Sequence, residues 1–320
     1  TIKNALESEM TTQYPATVLQ RLENSRFYLT KGAASLLTDS IKHYYFKEEW
    51  NFQKTERAIL ELCKKLNRYA PKLTLEDLQN DEVCRMIPNL SLDTVNEVIK
   101  SVEDKLKRGS VTQTNKVIYN SGPHHDDIML GIMPLTNRQL RPASNKVHFA
   151  VMTSGYNSVT NGFLRDSLKM TLDFLEDDKI QMVHYPDFFE EGYKHKYDKD
   201  IYHYLDSVAS DDQYQMNRGF CHRLLRCSVV VWQFKGLEEL KAKYREVINV
   251  LDNCYDGEPN TPDLQQLKGM IREFEEELVW AYNGVQVNHV HHLHLGFYQD
   301  KGITKGVNVE RDVMPILNQF

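Results

Sequence analysis

No apolar run in the chain approaches the roughly 18 residues that a membrane-crossing helix requires, so a helical bilayer span is not expected. A basic excess is missing too. The 39 Lys and Arg face 45 Asp and Glu, a formal charge of -6, which gives no electrostatic reason to expect nucleic acid or an anionic membrane as a partner. Cysteine is sparse: Cys63, Cys84, Cys221, Cys227 and Cys254 are odd in number, scattered and without a CxxC pair. That pattern argues against a disulfide framework or a zinc knuckle and suits reduced, mostly buried thiols in a cytosol. Repeats, low-complexity segments, a Gly-rich phosphate loop and a GxSxG elbow are absent as well. The chain begins Thr1-Ile2-Lys3 without an initiator Met or a signal-peptide pattern, and it stops at Pro315-Ile-Leu-Asn-Gln-Phe320 as though an element were still in progress. A piece of a longer polypeptide is therefore expected, its oligomeric state left open.

What remains is an ordinary globular composition, 41% apolar and 26% charged over 320 residues, enough for about two domains on a prior of roughly 150 residues each. Residues 1–110 read as a helical N-terminal region. Leu22, Leu29, Ala33, Leu36, Leu37, Ile41, Tyr44 and Tyr45 recur at helical spacings, and Ile59, Leu62, Cys63 and Leu66 mark a second helix before Pro71. A third has Ser91 as N-cap, Asp93 in its first turn, an apolar stripe from Leu92 to Leu106, and Lys107, Arg108 and a C-cap Gly109 at its close. None of these helices offers a reactive constellation.

From 111 to 320 the pattern is α/β. Strands are expected at 116–122, 146–153 and 180–184, with a helix at 162–176 between the last two. Such an order points to a doubly wound sheet, which binds ligands at the carboxyl ends of its strands. A helical insertion occupies about 185–260. Its first part, to about 235, reads as loop-rich with short helices, followed by a helix at about 236–254. A further helix starts at Thr261-Pro262 and stops at Asn283-Gly284, and 285–295 alternates like a strand.

Six of the 12 histidines fall in two clusters. Pro123-His124-His125-Asp126-Asp127 follows the first strand and puts an imidazole and a carboxylate three residues apart, where both can reach one ion, with Asp126 between them as a general base. The structural alternative is an N-capping Asp pair with solvent-facing histidines; placement after the first strand of an α/β unit favours the chemical one. In the second cluster His289 and His291 project from one strand face and His292 and His294 from the other, so an H-x-H metal pair at His289 and His291 is an alternative site. Partly buried, hydrogen-bonded histidines are the plainer reading there. His222 and Arg223 read as pocket-lining or, more simply, as a helix surface, and Trp232 and Trp280 as core.

From about 115 to 300 the chain resembles the LmbE or PIG-L family of zinc-dependent N-deacetylases, whose first motif is a strand followed by AHPDDE. Further landmarks follow in order: Thr153-Ser154-Gly155 for Thr-Asp-Gly, Arg272-Glu273-Phe274-Glu275 for an R-E-x-E helix, Asn283-Gly284-Val285 for its terminal turn, and Leu293-His-Leu-Gly-Phe-Tyr298 for a strand ending in Phe-Tyr. In one branch this part follows a glucosamine-6-phosphate deaminase-like half, and residues 12–110 resemble the connecting region of those fusions. The resemblance implies a Rossmann-like three-layer sandwich preceded by a helical region. It also implies a cytoplasmic bacterial-type protein with a covalently linked deaminase-like domain, and hydrolysis of an N-acetylglucosamine-type sugar. His124 and Asp127 become zinc ligands and Asp126 the base. Arg272, Glu273 and Glu275 become ion-pairing supports of the metal loop.

Three departures bear on this. His125 stands where the family has Pro, which costs loop rigidity but no ligand; Ile128 stands where it has an acid; and Ser154 stands where it has Asp. The family's third ligand comes from an HxxH-type loop after the Phe-Tyr strand, and residues 299–320 contain no histidine. His289-x-x-His292 and His291-x-x-His294 do not replace it, because a strand holds i and i+3 on opposite faces. The fragment is therefore expected to be inactive and weakly loaded with zinc. The competing class is a catalytically incomplete module with a regulatory or interaction role.

Overall fold

The computed structural model describes residues 2–296 and 306–319. It divides into two compact units, Thr1–Val111 and Thr112–Phe320. Among the described residues no helix is long and apolar enough to cross a membrane, and the five cysteines are free.

The first unit contains α1 (Ile2–Glu7), α2 (Thr38–Phe46), α3 (Phe52–Leu66), α4 (Leu75–Asn80) and α5 (Leu92–Ser110). Asn51 caps α3 by accepting from the Lys54 amide, and Asn67 closes it in the left-handed conformation. Thr74 and Asp77 form a capping box on α4. The buried face of α3 (Ala58, Ile59, Leu62) packs with Tyr45, Leu78, Val95 and Val98 to make this unit's core. Two expectations are corrected here. The stripe from Leu22 to Tyr45 is helical only from Thr38, because Leu22, Leu29 and Leu36 remain exposed and helix formation there would repay no backbone entropy with burial. Gly109 does not cap α5, which continues to Ser110 and ends at an extended Val111.

The second unit is built on a three-stranded parallel sheet in the order β1 (Val117–Gly122), β2 (Lys146–Val151), β3 (Val290–His292). Its register sets Val117 opposite Lys146 and Gly122 opposite Val151; Phe149 then faces Val290 and Val151 faces His292. The helix α6 (Asp127–Leu140) connects β1 to β2 and is kinked at Ile132, where Pro134 denies the helix a donor. Five helices separate β2 from β3: α7 (Asn161–Glu176), α8 (Tyr197–Ala209), α9 (Gln213–Trp232), α10 (Leu237–Leu251) and α11 (Pro262–Tyr282). The short α12 (Met314–Leu317) lies near the end of the chain. Val147, Phe149 and Val290 gather with Ile128, Trp280 and Val285, and the rings of Phe149 and Trp280 stack with centroids 3.7 Å apart. A second, larger core joins Leu164, Leu168, Leu224, Leu225, Leu240 and Leu267 of α7, α9, α10 and α11.

The sheet is smaller than the sequence suggests. Residues 181–184 form a 3-10 turn, with Ile180 and Val183 buried in the helical core, so this segment serves as a plug where a strand was expected. The strand expected over 285–295 is hydrogen-bonded as one only at 290–292, because a 3-10 turn occupies 287–289 and His294 takes a positive φ of 48°. Phe297 and Tyr298 lie outside the described residues. Between 185 and 235 the expected short helices prove to be the 13-residue α8 and the 20-residue α9. Their hydropathy pattern is masked because α9 buries Arg223, Arg226 and Ser228 alongside its leucines.

Candidate metal centre

The carboxyl ends of all three strands meet. The Met152 amide donates to the Gly122 carbonyl at 3.0 Å, and Thr153 reaches the Pro123 carbonyl through its amide (3.2 Å) and its hydroxyl (2.7 Å). On the other side of β2, Leu293 and Leu295 donate to the carbonyls of Val151 (2.9 Å) and Met152 (2.7 Å). These bonds hold the 123–127 loop, the 153–155 turn and the end of β3 side by side, at the sheet edge where parallel α/β folds place their ligands.

Within the loop, two adjacent histidines have opposite fates. His124 is half-exposed. Its amide donates to Asp127 Oδ2 at 2.9 Å, and its Nδ1 lies 3.2 Å from the same oxygen. Asp127 is the first residue of α6 and is also half-exposed, so its carboxylate sits where the helix dipole favours it. Asp126 occupies the N-cap position, exposed, with no capping bond from its side chain. Ile128 turns inward onto Gly122, where a Cβ would lie 3.0 Å from Ile128 Cγ1.

His125 points the other way and is 2% exposed. Its ring stacks at 5.6 Å from that of His292, and neither of its nitrogens has a hydrogen-bond partner. Gly155, at φ +63°, makes room for it: a Cβ there would sit 2.7 Å from His125 Nδ1. Burial, reinforced by the neighbouring His292 and Arg272, pushes its imidazole down to about 3, so the ring is neutral.

The helix α11 supplies the rest. Trp280 Nε1 donates to Glu276 Oε1 at 2.8 Å, whereas Glu276 Oε2 is buried without a partner. Burial raises the Glu276 carboxyl to about 7, with Trp280 and His292 opposing the rise. Glu273 bonds His294 Nε2 at 2.5 Å; burial would raise its pKa, but His294 and His292 hold it below the usual value. Arg272 bonds Glu275, so the expected ion pair forms between those two, while Glu273 is committed to His294. His292 lies with Nε2 3.6 Å from Glu277 Oε1; burial opposes its protonation, yet the Glu277, Glu273 and Glu276 carboxylates raise it on balance. One donor atom each from His125, Glu276 and His292 lies within 4.8 Å of the others, the one such group of three or more among the described residues.

His291 alternates with His292 along β3, and His289, in the 3-10 turn just before the strand, lies beside the same neighbour as His291. His148 of β2 joins them: its Nδ1 is 3.1 Å from His291 Nε2, and its ring lies 4.3 Å from that of His289. Tyr119 stacks on His148 at 4.7 Å. Burial and the like-charged neighbours lower the pKa of both His148 and His291. His148 escapes a sequence reading because only the β2–β3 register brings it to the cluster. His125 is a candidate ligand or supporting residue of the first cluster and His292 belongs to the second, but their meeting escapes because it depends on the fold, and Glu276 is hidden in the run Glu275-Glu276-Glu277.

Two residues assigned to a helix surface are corrected. Arg223 is 1% exposed, donates to Glu277 at 2.7 Å and to the Tyr197 carbonyl at 3.0 Å, and stacks over the Tyr197 ring; His222 is mostly buried beside His203. Trp280 is core, as expected, whereas Trp232 is half-buried and donates to Asp263.

No protein-family profile matches the chain. No solved structure matches it either. A curated protein of Bacteroides thetaiotaomicron, named as glucosamine-6-phosphate deaminase-like, is 22% identical over 334 aligned positions, which cover 99% of this chain and 42% of that protein. The chain thus spans less than half the length of the relative it matches.

Proposed function

We propose that the second unit is an LmbE or PIG-L-like hydrolase that removes the acetyl group of an N-acetylglucosamine-type sugar, within a longer cytoplasmic protein of amino-sugar metabolism. The observation that carries it is the 3.2 Å separation of His124 Nδ1 and Asp127 Oδ2 at the carboxyl end of β1. Two donors of one tetrahedral zinc, each about 2.0–2.1 Å from the ion, stand roughly 3.3 Å apart, so the pair fits two positions of that coordination shell. Zinc, when bound, supplies Lewis acidity at the substrate carbonyl. Asp126, exposed between the two donors, is the base that takes a proton from the attacking water and passes it toward the departing amine. The name of the distant relative supports the amino-sugar part of this reading alone.

A second reading has an observation of its own. Among the described residues no third His, Cys, Asp or Glu gathers with His124 and Asp127 as closely as the buried trio does. A deacetylase-like module with a regulatory or interaction role accounts for that. Acetate release from N-acetylglucosamine and its 6-phosphate, measured with metal analysis on this chain and on its longer parent, separates the two. Zinc-dependent turnover by the parent, lowered at least about 100-fold in Asp126→Ala, supports the hydrolase. Zinc bound without turnover supports the module.

A further inference from the structure

We infer that His125, Glu276 and His292 form a buried binding site for a divalent cation of the zinc class, separate from the His124 and Asp127 pair. It stands whether or not the unit hydrolyses an amide. Three elements distant in sequence deliver these side chains: the loop after β1, the middle of α11 and the end of β3. His125 and Glu276 are 2% and 1% exposed, and the His292 side chain is 12% exposed.

The first argument is hydrogen-bond accounting. Both nitrogens of His125, the Nδ1 of His292 and one oxygen of Glu276 are buried with no hydrogen-bond partner, and His292 Nε2 has only the Glu277 carboxylate at 3.6 Å. Folded chains satisfy nearly all buried polar atoms, and several orphans converging on one point are the arrangement that an ion resolves. The neighbouring charges are already committed: Glu277 to Arg223, Glu273 to His294, and Arg272 to Glu275. Glu276 Oε2 is the carboxylate oxygen left without a hydrogen bond beside the two imidazoles.

The second argument is the chemistry of the donors. Two imidazoles and one carboxylate suit zinc and its neighbours cobalt and nickel, whereas calcium and magnesium seek oxygen shells. Supporting bonds are in place as well. Trp280 fixes one oxygen of Glu276 at 2.8 Å, and Glu277 lies 3.6 Å from His292, where ligating histidines customarily have an outer carboxylate. The donors spread over up to 4.8 Å, wider than the roughly 3.3 Å of a bound tetrahedral ion, so binding draws the side chains together. Three protein donors leave a fourth position for water. The ion would clamp the β1 loop and the end of β3 to α11.

The test uses the 320-residue chain freed of metal by a chelator, titrated with zinc and, separately, with cobalt(II) read by its visible absorption. We expect one tightly held ion, a melting temperature raised by several degrees, and an affinity lowered about 100-fold or more in Glu276→Gln and in His292→Gln. Zinc-soaked crystals of the unaltered chain, read by anomalous scattering, answer the question even where a variant fails to fold. Absence of an anomalous peak among His125, Glu276 and His292, or variants that bind zinc as the unaltered chain does, overturns the inference. His124→Ala reports separately on the hydrolase: it should abolish acetate release by the longer parent while leaving this ion bound in the 320-residue chain.

Discussion

Gly155 shows how one missing side chain shapes the centre. Its φ of +63° lies where an L-residue pays about 1–2 kcal/mol, and a Cβ there would press on the buried ring of His125 at 2.7 Å. Gly155→Ala is therefore expected to destabilise the chain by about 1–3 kcal/mol in urea unfolding and to weaken zinc binding together with it. Unchanged stability would mean that His125 does not rest on that turn. The same contact shows how far the motif could be read. The placement of His124, Asp126 and Asp127 between a strand and a helix start is legible because strand, turn and helix start are all local patterns. The burial of His125 is not, since it depends on Gly155, His292 and α11, which lie 30 or more residues away along the chain. His125, read both as a potential ligand or supporting residue and as a replacement for proline, is the buried imidazole of the loop.

At the scale of elements, α11 and α9 carry the unit through polar contacts that composition conceals. Periodicity, the Thr261-Pro262 start and the Asn283-Gly284 stop make α11 legible end to end, because caps and apolar spacing are encoded within it. The helix α9 is not legible in this way. Arg226 donates to Asp200 at 2.8 Å and to the carbonyls of Tyr193 and His195, each at 2.8 Å, so an arginine occupies a position that hydropathy assigns to solvent. Removing the arginine leaves Asp200 buried with only Arg223 Nε, 3.9 Å away, and strands the two carbonyls. Arg226→Ala should cost about 3–5 kcal/mol by chemical denaturation, whereas the double change Arg226→Met with Asp200→Leu should recover most of it. If the single change costs under about 1 kcal/mol, the pair does not anchor α9 to Asp200 of α8. The missing third strand follows the same logic: 180–184 has strand composition, but the helical core takes Ile180 and Val183 before the sheet can.

For the whole molecule, the consequential feature is the stretch of chain that links the two units. Residues 111–117 are exposed, and of this run only Lys116 and Val117 join the ladder to β2. Each unit has its own core, Tyr45, Ile59, Leu62 and Val98 in the first and the clusters around Leu168, Leu225 and Phe149 in the second. The change of character after Gly109 makes this division visible in the sequence, since a helical period gives way there to short apolar runs. Separate cores predict separate unfolding. Brief trypsin treatment should cut first around Lys107, Arg108 or Lys116, all exposed, and leave two fragments that resist further digestion. Calorimetry of the intact chain should show two transitions, of which only the one from the second unit moves upward when zinc is added. A single transition, with no early cleavage between 107 and 116, would show that the two cores unfold as one.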